Sequence, residues 1–421
     1  MRRYAFILSL WMLAMTLPGF SQTWEWTNLP DMPTARYGHC SVVFQGKIWI
    51  IGGKSRLNMT MSEVDCFDLS SGQWLDDVPE MKTPRFNASA LVHQGKIFVF
   101  GGSGFLTNKL NSVEYYDPQT NSWHDFEAMN YEREGLTSVV LNDTLFVLGG
   151  TSGNGWITQP LDVVEFWHEQ SSSWKVSNHW RLRTPRVAMQ SLVIHNMVFT
   201  FGGVSVAPLN QLEMYQSGHG SLWLSPLPRE RFYFAGVAVR DSIFCLGGYG
   251  ITGTLDSIDF YNVESDTWAT LAVTLTSPRA GLSAVEYDGN IYIFGGLNET
   301  SGVLSTAQCM TYNSSSVAAA TDLPGLPDHF GLLGNYPNPF NAGTVIEFEI
   351  VSGQKEIRLE IFNILGAALR AFDLDFVQPG RHQIFWDGCD AFGRTLESGI
   401  YFARLTSAHS RPDVLRMSLI K

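Results

Sequence analysis

Six arginines, Arg36, Arg85, Arg133, Arg186, Arg231 and Arg279, each stand 16 residues before the first glycine of a Gly-Gly doublet. A guanidinium presents five N–H donors in a rigid fork and stays charged at any ordinary pH, so it suits two tasks. It can clamp the carboxylate of an acidic partner, or it can tie carbonyls and a buried carboxylate inside the fold. Recurrence in every copy favours the internal task, because a recognition site needs asymmetry. Asymmetry is found instead after the doublets, where Phe105, Trp156 and Tyr249 stand among polar residues, with Lys54, Arg56 and Lys109 in the same segments. Aromatic faces with scattered donors suit a glycan or an extended peptide. Packing of these rings onto the sheets beneath is the competing reading.

Other chemistry is poorly provided for. The histidines His39, His93, His124, His168, His179, His195 and His219 form no HxH or HxxxH cluster. No serine-nucleophile elbow or phosphate-cradling loop is present. Asp76 and Asp77 read as solvated turn residues; Asp387 and Asp390 could suggest calcium, with a turn role favoured. The five cysteines, Cys40, Cys66, Cys245, Cys309 and Cys389, are odd in number, scattered and without CxxC spacing. They suggest neither a zinc site nor a disulfide framework. A formal charge of −12 argues against nucleic-acid binding, which needs a cationic face. The expectation is a non-catalytic chain without cofactor or metal.

The elements that position these residues form a repeat. Six apolar runs end in Gly-Gly: IWIIGG, IFVFGG, LFVLGG, VFTFGG, IFCLGG and IYIFGG. The doublets are Gly52-Gly53, Gly101-Gly102, Gly149-Gly150, Gly202-Gly203, Gly247-Gly248 and Gly295-Gly296, with a period of 45 to 53 residues. Trp74, Trp123, Trp174, Trp223 and Trp268 follow by 20 to 24 residues. Between glycine and tryptophan lie strand-like stretches punctuated by Asn, Asp, Pro and Ser. Each unit therefore reads as about four short strands, one blade of a propeller, with the tryptophan as an apolar wedge between blades. The sixth unit lacks its tryptophan. Trp26, 10 residues before Arg36, suggests that the segment around Trp24–Trp26 supplies the outer strand of that last blade. A strand from residues 315–321 is the alternative.

The Arg, Gly-Gly and Trp markers, spread over residues 24–312, closely resemble kelch repeats. The resemblance implies an all-β fold, a six-bladed propeller over residues 22–320. It also implies that the arginines could lie at the mouth of a central channel, where some kelch domains bind acidic partners. Galactose-oxidase-type kelch propellers hold copper on two histidines and two tyrosines, and the dispersed histidines here show no such set. A carbohydrate-active enzyme, epimerase or oxidase, with its site at the channel mouth is the alternative to a binding or scaffold protein.

Both chain ends read as export signals. Arg2 and Arg3 precede an apolar run, Ala5–Leu17, and Gly19 and Ser21 suit cleavage before Gln22, so residues 1–21 read as a signal peptide. Residues 321–334 read as a Pro- and Gly-punctuated linker, and 335–421 as alternating short strands of an antiparallel sandwich. The stretches NYPNPFN, IFNILG, PGRHQIFWDG, SGIYFARL and RMSLIK resemble the Ig-like C-terminal sorting domain of bacterial type IX secretion substrates. That resemblance implies outer-membrane secretion machinery as a partner and a destination outside the cell or on its surface. The ligand of the propeller is expected to be a protein or glycan, and the chain a monomer.

Overall fold

The computed structural model describes residues 22–105, 108–153, 159–218, 220–239, 241–263, 265–314, 331–338, 340–341, 343–350, 357–363, 367–374, 380–391, 393–407 and 410–420. The expected signal peptide and residues 321–330 of the expected linker lie outside them, whereas its last four residues are corrected: they belong to the strand Gly331–Tyr336, so the second domain's first strand starts before 335. The chain divides into two compact units, Met1–Val317 and Ala318–Lys421.

Among its described residues, unit 1 contains six four-stranded antiparallel sheets. In the first, Cys40–Phe44, Lys47–Ile51, Val64–Asp68 and Gln73–Trp74 follow in chain order, and the next four sheets repeat this plan. The sixth is composite: Ser283–Tyr287, Asn290–Phe294 and Ala307–Ser314 are completed by Gln22–Asn28, with Trp26 opposite Met310. The first strands of the sheets are neighbours in a closed circle, Ser283–Tyr287 lying beside both Ala235–Val239 and Cys40–Phe44. This is a β-propeller.

The apolar runs before the doublets form the second strand of each sheet, flanked on both sides by hydrogen-bonded partners. Ile48, Ile50, Ile97, Val99, Phe100 and Val147 are buried. Continuous burial explains why these runs are unbroken by polar residues. The apolar clusters lie between neighbouring sheets rather than at one centre: Trp49 and Cys66 of the first sheet pack with Val99 and Trp123 of the second, and Ile48 and Phe67 pack with Val285 and Phe294 of the sixth.

Among its described residues, unit 2 forms two antiparallel sheets. One orders Gly331–Tyr336, Thr344–Ile350 and Gly380–Trp386; the other orders Ala368–Leu374, Ile357–Asn363, Gly399–Ser407 and Ser410–Leu419. Ile346, Phe348 and Trp386 of the first sheet share one core with Leu359, Ile361, Ala403 and Leu405 of the second. Alternation of apolar and polar residues along each strand builds that shared interior.

Candidate functional site

Each of the six arginines enters its sheet from the preceding connection and is buried. Its Nη1 donates to the carbonyl of the first glycine 16 residues later: Arg36 to Gly52 at 3.0 Å, Arg85 to Gly101 at 2.8 Å and Arg133 to Gly149 at 2.8 Å. Arg186 reaches Gly202 at 3.1 Å, Arg231 reaches Gly247 at 3.2 Å and Arg279 reaches Gly295 at 3.3 Å. The constant spacing in the sequence is thus a repeated hydrogen bond. Nη2 takes a second partner on the third strand in most units: Asp65 for Arg36 at 2.6 Å, Glu114 for Arg85 at 2.9 Å, Glu165 for Arg133 at 2.6 Å, and Asp259 for Arg231. In the fourth sheet the matching acid, Glu213, acts on Arg186 electrostatically while Nη2 donates to Gln211 Oε1 at 3.1 Å, and Ser277 Oγ at 2.9 Å serves Arg279.

Burial lowers all six arginine pKa values from the usual 12.5, Arg279 to about 10. Burial raises Asp65 and Glu213 above the usual carboxylate range. The arginines' backbones complete the design. Gly53 N–H donates to the Arg85 carbonyl, Gly102 to Arg133, Gly150 to Arg186, Gly203 to Arg231, Gly248 to Arg279, and Gly296 back to Arg36. Every arginine therefore joins its own doublet through the side chain and the preceding doublet through the main chain. The ligand-binding reading of Arg36, Arg85, Arg133, Arg186, Arg231 and Arg279 is corrected here: buried and internally bonded, they offer no surface to a partner.

Two residues beyond each arginine the backbones meet around the axis. Asn87 N–H donates to the Gly38 carbonyl, Gly135 to Asn87, Ala188 to Gly135, Tyr233 to Ala188, Gly281 to Tyr233, and Gly38 to Gly281, at 2.7 to 3.0 Å. These six residues all have positive φ, between 50° and 62°. Four are Gly or Asn, types that tolerate this region, whereas Ala188 and Tyr233 are held there by the closed ring. Asn87 Nδ2 also donates to Tyr233 Oη at 3.1 Å across the mouth.

Beneath the ring is an axial cavity of about 130 Å³, whose lining includes His39, Ser41, Ser89, Thr137, Gln190 and Ser283. Burial, with Arg36 nearby, pulls His39 down to about 3, so its imidazole is neutral at physiological pH. Burial pushes the Cys40 thiol up to about 12 and raises Tyr233 as well, which leaves both protonated and poorly nucleophilic. Among the described residues no group of three or more His, Cys, Asp or Glu side chains could hold a metal ion.

The segments after the doublets surround the mouth and brace one another. Arg56 Nε donates to the Val303 carbonyl at 3.1 Å, Lys109 Nζ to the Gly153 carbonyl at 2.5 Å, and Lys54 lies 4.5 Å from the Phe86 ring centroid. Tyr249 stacks on Phe232 at 5.5 Å, so its ring packs onto the structure beneath. Phe105 is exposed, and Trp156 lies outside the described residues. The same segments expose Leu57, Met59, Val206 and Ile251, which the sequence reading, directed at aromatics, overlooked. The available signal was a large aliphatic residue inside a turn-rich loop. Glu134, adjacent to the ring, is raised above the usual carboxylate range by burial, and Lys109 stands 3.9 Å away.

Five tryptophans act as inter-sheet wedges. The indole N–H of Trp74 donates to Pro30, Trp123 to Pro79, Trp174 to Glu127, Trp268 to Ser225 and Trp26 to Thr274, always a carbonyl of the segment leading into that sheet or its neighbour. Trp223 is corrected: it is 43% exposed beneath the Arg183 guanidinium, 5.2 Å away. In unit 2, Asp387 accepts from Arg370 at 2.7 Å and from the Cys389 amide, and Asp390 accepts from the Arg394 amide and side chain. Both carboxylates thus have turn and ion-pair roles.

A KLHDC2/KLHL20/DRC7 Kelch-repeats domain matches residues 10–203 and 135–319. Kelch-like protein 35 of Mus musculus is 23% identical over 172 residues, 40% of this chain and 29% of that protein. Beta-scruin of Limulus polyphemus is 24% identical over 218 residues, 47% of this chain and 23% of that protein. The chain thus spans less than a third of the length of these curated relatives. The solved structure of YjhT superposes with a TM-score of 0.58 at 15% identity, covering 68% of this chain and 99% of that one, a likeness of fold. With the Arg–Gly bond repeated in six sheets and the family match spanning them, the chain belongs to the kelch-repeat family.

Proposed function

We propose that the protein is an exported, non-catalytic binding scaffold whose six sheets are the six blades of one propeller, and whose partner docks on the loops after the Gly-Gly doublets. The observation that carries this reading is the exposure of Leu57, Met59, Phe105, Val206 and Ile251 on those loops, around a mouth closed by its own backbone ring. Large apolar side chains gathered on one functional face of a soluble propeller mark a protein interface more readily than a solvated surface. Kelch repeats in the relatives support a protein partner; a glycan remains the second ligand class for the same loops. A photo-crosslinking residue at Val206 is expected to give a discrete crosslinked polypeptide on intact cells. The same residue at Ser70, in an outer turn, is expected to give none, and equal yields would remove the loop-face reading.

Residues 335–421 are read as an Ig-like sorting domain of the type IX pathway, and residues 1–21 as the signal peptide. The two-sheet packing around Trp386 is compatible with that domain class. Deleting 335–421 is expected to strand the propeller in the periplasm, as scored by cell fractionation; undiminished surface display would refute the sorting role. The enzymatic alternative has one observation in its favour, the Glu134 carboxyl with raised pKa beside Tyr233 at the mouth.

A further inference from the structure

The sixth sheet closes on a strand that differs from its five counterparts. In the other sheets the outer strand is the last of the four in chain order. In the sixth it is Gln22–Asn28, and its first residue is the one before which cleavage of the signal peptide is expected. The register runs from Gln22 opposite Ser314, through Trp24 opposite Tyr312, to Trp26 opposite Met310. Strand pairing thus extends to the very residue that cleavage would leave as the terminus.

Little chain separates that terminus from the core it closes. Trp24, two residues on, has its ring 5.0 Å from Tyr312 and 5.4 Å from Phe244. Trp24 and Trp26 both pack on the cluster of Val237, Leu246, Ile291 and Met310, which joins the fifth sheet to the sixth. A free terminus frays, and a frayed strand end offers its residues to an exopeptidase in order. Trimming through Trp24 would strip the first indole from this core. Trimming through Trp26 would also remove the bond from its indole to the Thr274 carbonyl at 2.8 Å.

The residue type at this position supplies its own protection. We propose that Gln22 is a modification site, cyclised to pyroglutamate once residues 1–21 are removed, and that this cap shields the strand closing the ring; both statements rest on the reading of residues 1–21 as a signal peptide. In the step, the α-amine nitrogen attacks the carbon of the glutamine's own side-chain amide. A C–N bond forms to the amine, the bond to the amide nitrogen breaks, and that nitrogen leaves as ammonia. Nothing is oxidised or reduced, and no co-reactant is consumed. An α-amine titrates at about pH 8, so a fraction of it is uncharged and nucleophilic at neutral pH. The lactam carries neither a primary amine nor a terminal charge, so an aminopeptidase that holds the α-ammonium of its substrate has nothing to grip. Serine at the same place has no amide carbon to attack.

The test uses the full chain recovered after export and collected into acid, which keeps any free amine protonated. By mass spectrometry its tryptic peptide of residues 22–36 is expected to be lighter by one ammonia. A Gln22→Ser chain is expected to yield an uncyclised peptide from the same cleavage point. Incubated with a broad-specificity aminopeptidase, the Gln22→Ser chain is expected to lose Trp24 at least tenfold faster than the native chain. Native chain decapped with a pyroglutamyl peptidase gives the same comparison if the variant is not exported. A peptide that starts at Gln22 with a free amine overturns the proposal and leaves the signal-peptide reading in place. A chain that starts at Met1, or at any other residue, overturns that reading and the proposal with it. Equal trimming of capped and uncapped chains overturns the protective role.

Discussion

Arg133 and Arg279 occupy the same repeat position with different partners, and the difference has an energetic consequence. Replacing Arg133 by Met strands the buried Glu165, which otherwise receives Arg133 at 2.6 Å and the Asn130 amide at 2.7 Å. Breaking a buried pair from one side costs about 3–5 kcal/mol. Arg279 has no carboxylate partner and bonds carbonyl and hydroxyl oxygens, so Arg279→Met leaves neutral acceptors unpaired, at about 1–3 kcal/mol. Urea unfolding followed by tryptophan fluorescence is expected to rank the two variants in that order, and equal losses would show that the acid contributes nothing. At this scale the sequence revealed the spacing of the arginine but not its burial. Asn87 and Tyr233, which meet across the mouth, are 146 residues apart, and no local pattern links them.

The Gly-Gly doublet is the element on which neighbouring sheets join. Gly101 has φ of +56°, and a Cβ there would sit 2.6 Å from the Arg133 carbonyl oxygen. Gly72, in an outer turn at φ of +68°, has nothing within 4 Å of that position. Gly101→Ala therefore adds a backbone clash to the left-handed strain, whereas Gly72→Ala carries the strain alone, about 1 kcal/mol. Thermal denaturation is expected to show a loss for Gly101→Ala at least about 2 kcal/mol larger, following the scale of overpacking. The element scale is also where sequence spacing misled. Trp223 lies as far from its doublet as Trp268 does, but Tyr215 and Ser221 pair across six positions where Tyr261 and Trp268 pair across seven. One residue fewer in the hairpin shifts the register, and a slip of register turns each side chain to the other face.

At the scale of the molecule, closure depends on Gln22–Asn28. This strand covers the edge Ala307–Ser314 and places Trp26, whose indole donates to Thr274 at 2.8 Å. Gly296 N–H meeting the Arg36 carbonyl and Gly38 N–H meeting Gly281 close the two hydrogen-bond circuits at the same seam. Removing residues 22–28 exposes a bare strand edge and is expected to lower the melting temperature and to promote self-association, since open edges pair with other chains. Sedimentation velocity and differential scanning calorimetry read both effects; a monomer of unchanged melting temperature would place the closure elsewhere.

The sequence by itself determined the repeated unit, its six copies and the strand character of each run. These follow from periodicities of a few residues and from markers whose roles are local: glycine where φ is positive, apolar runs where both faces are covered. It also placed Trp26 ten residues before Arg36, the pattern of an outer strand preceding its next unit. What only the tertiary structure decided is which of those markers are buried and which stand at the surface. The arginines are consumed because each bonds the carbonyl of a glycine 16 residues away, and four of them also pair with an acid of the third strand. Leu57, Met59, Phe105, Val206 and Ile251 are exposed on the loops after four of the doublets, and Trp180 rather than Trp223 is buried at the fourth boundary, where Ser221 takes the place opposite Tyr215. Convergence of segments some 50 residues apart, set by closure of the ring, leaves no trace in local composition.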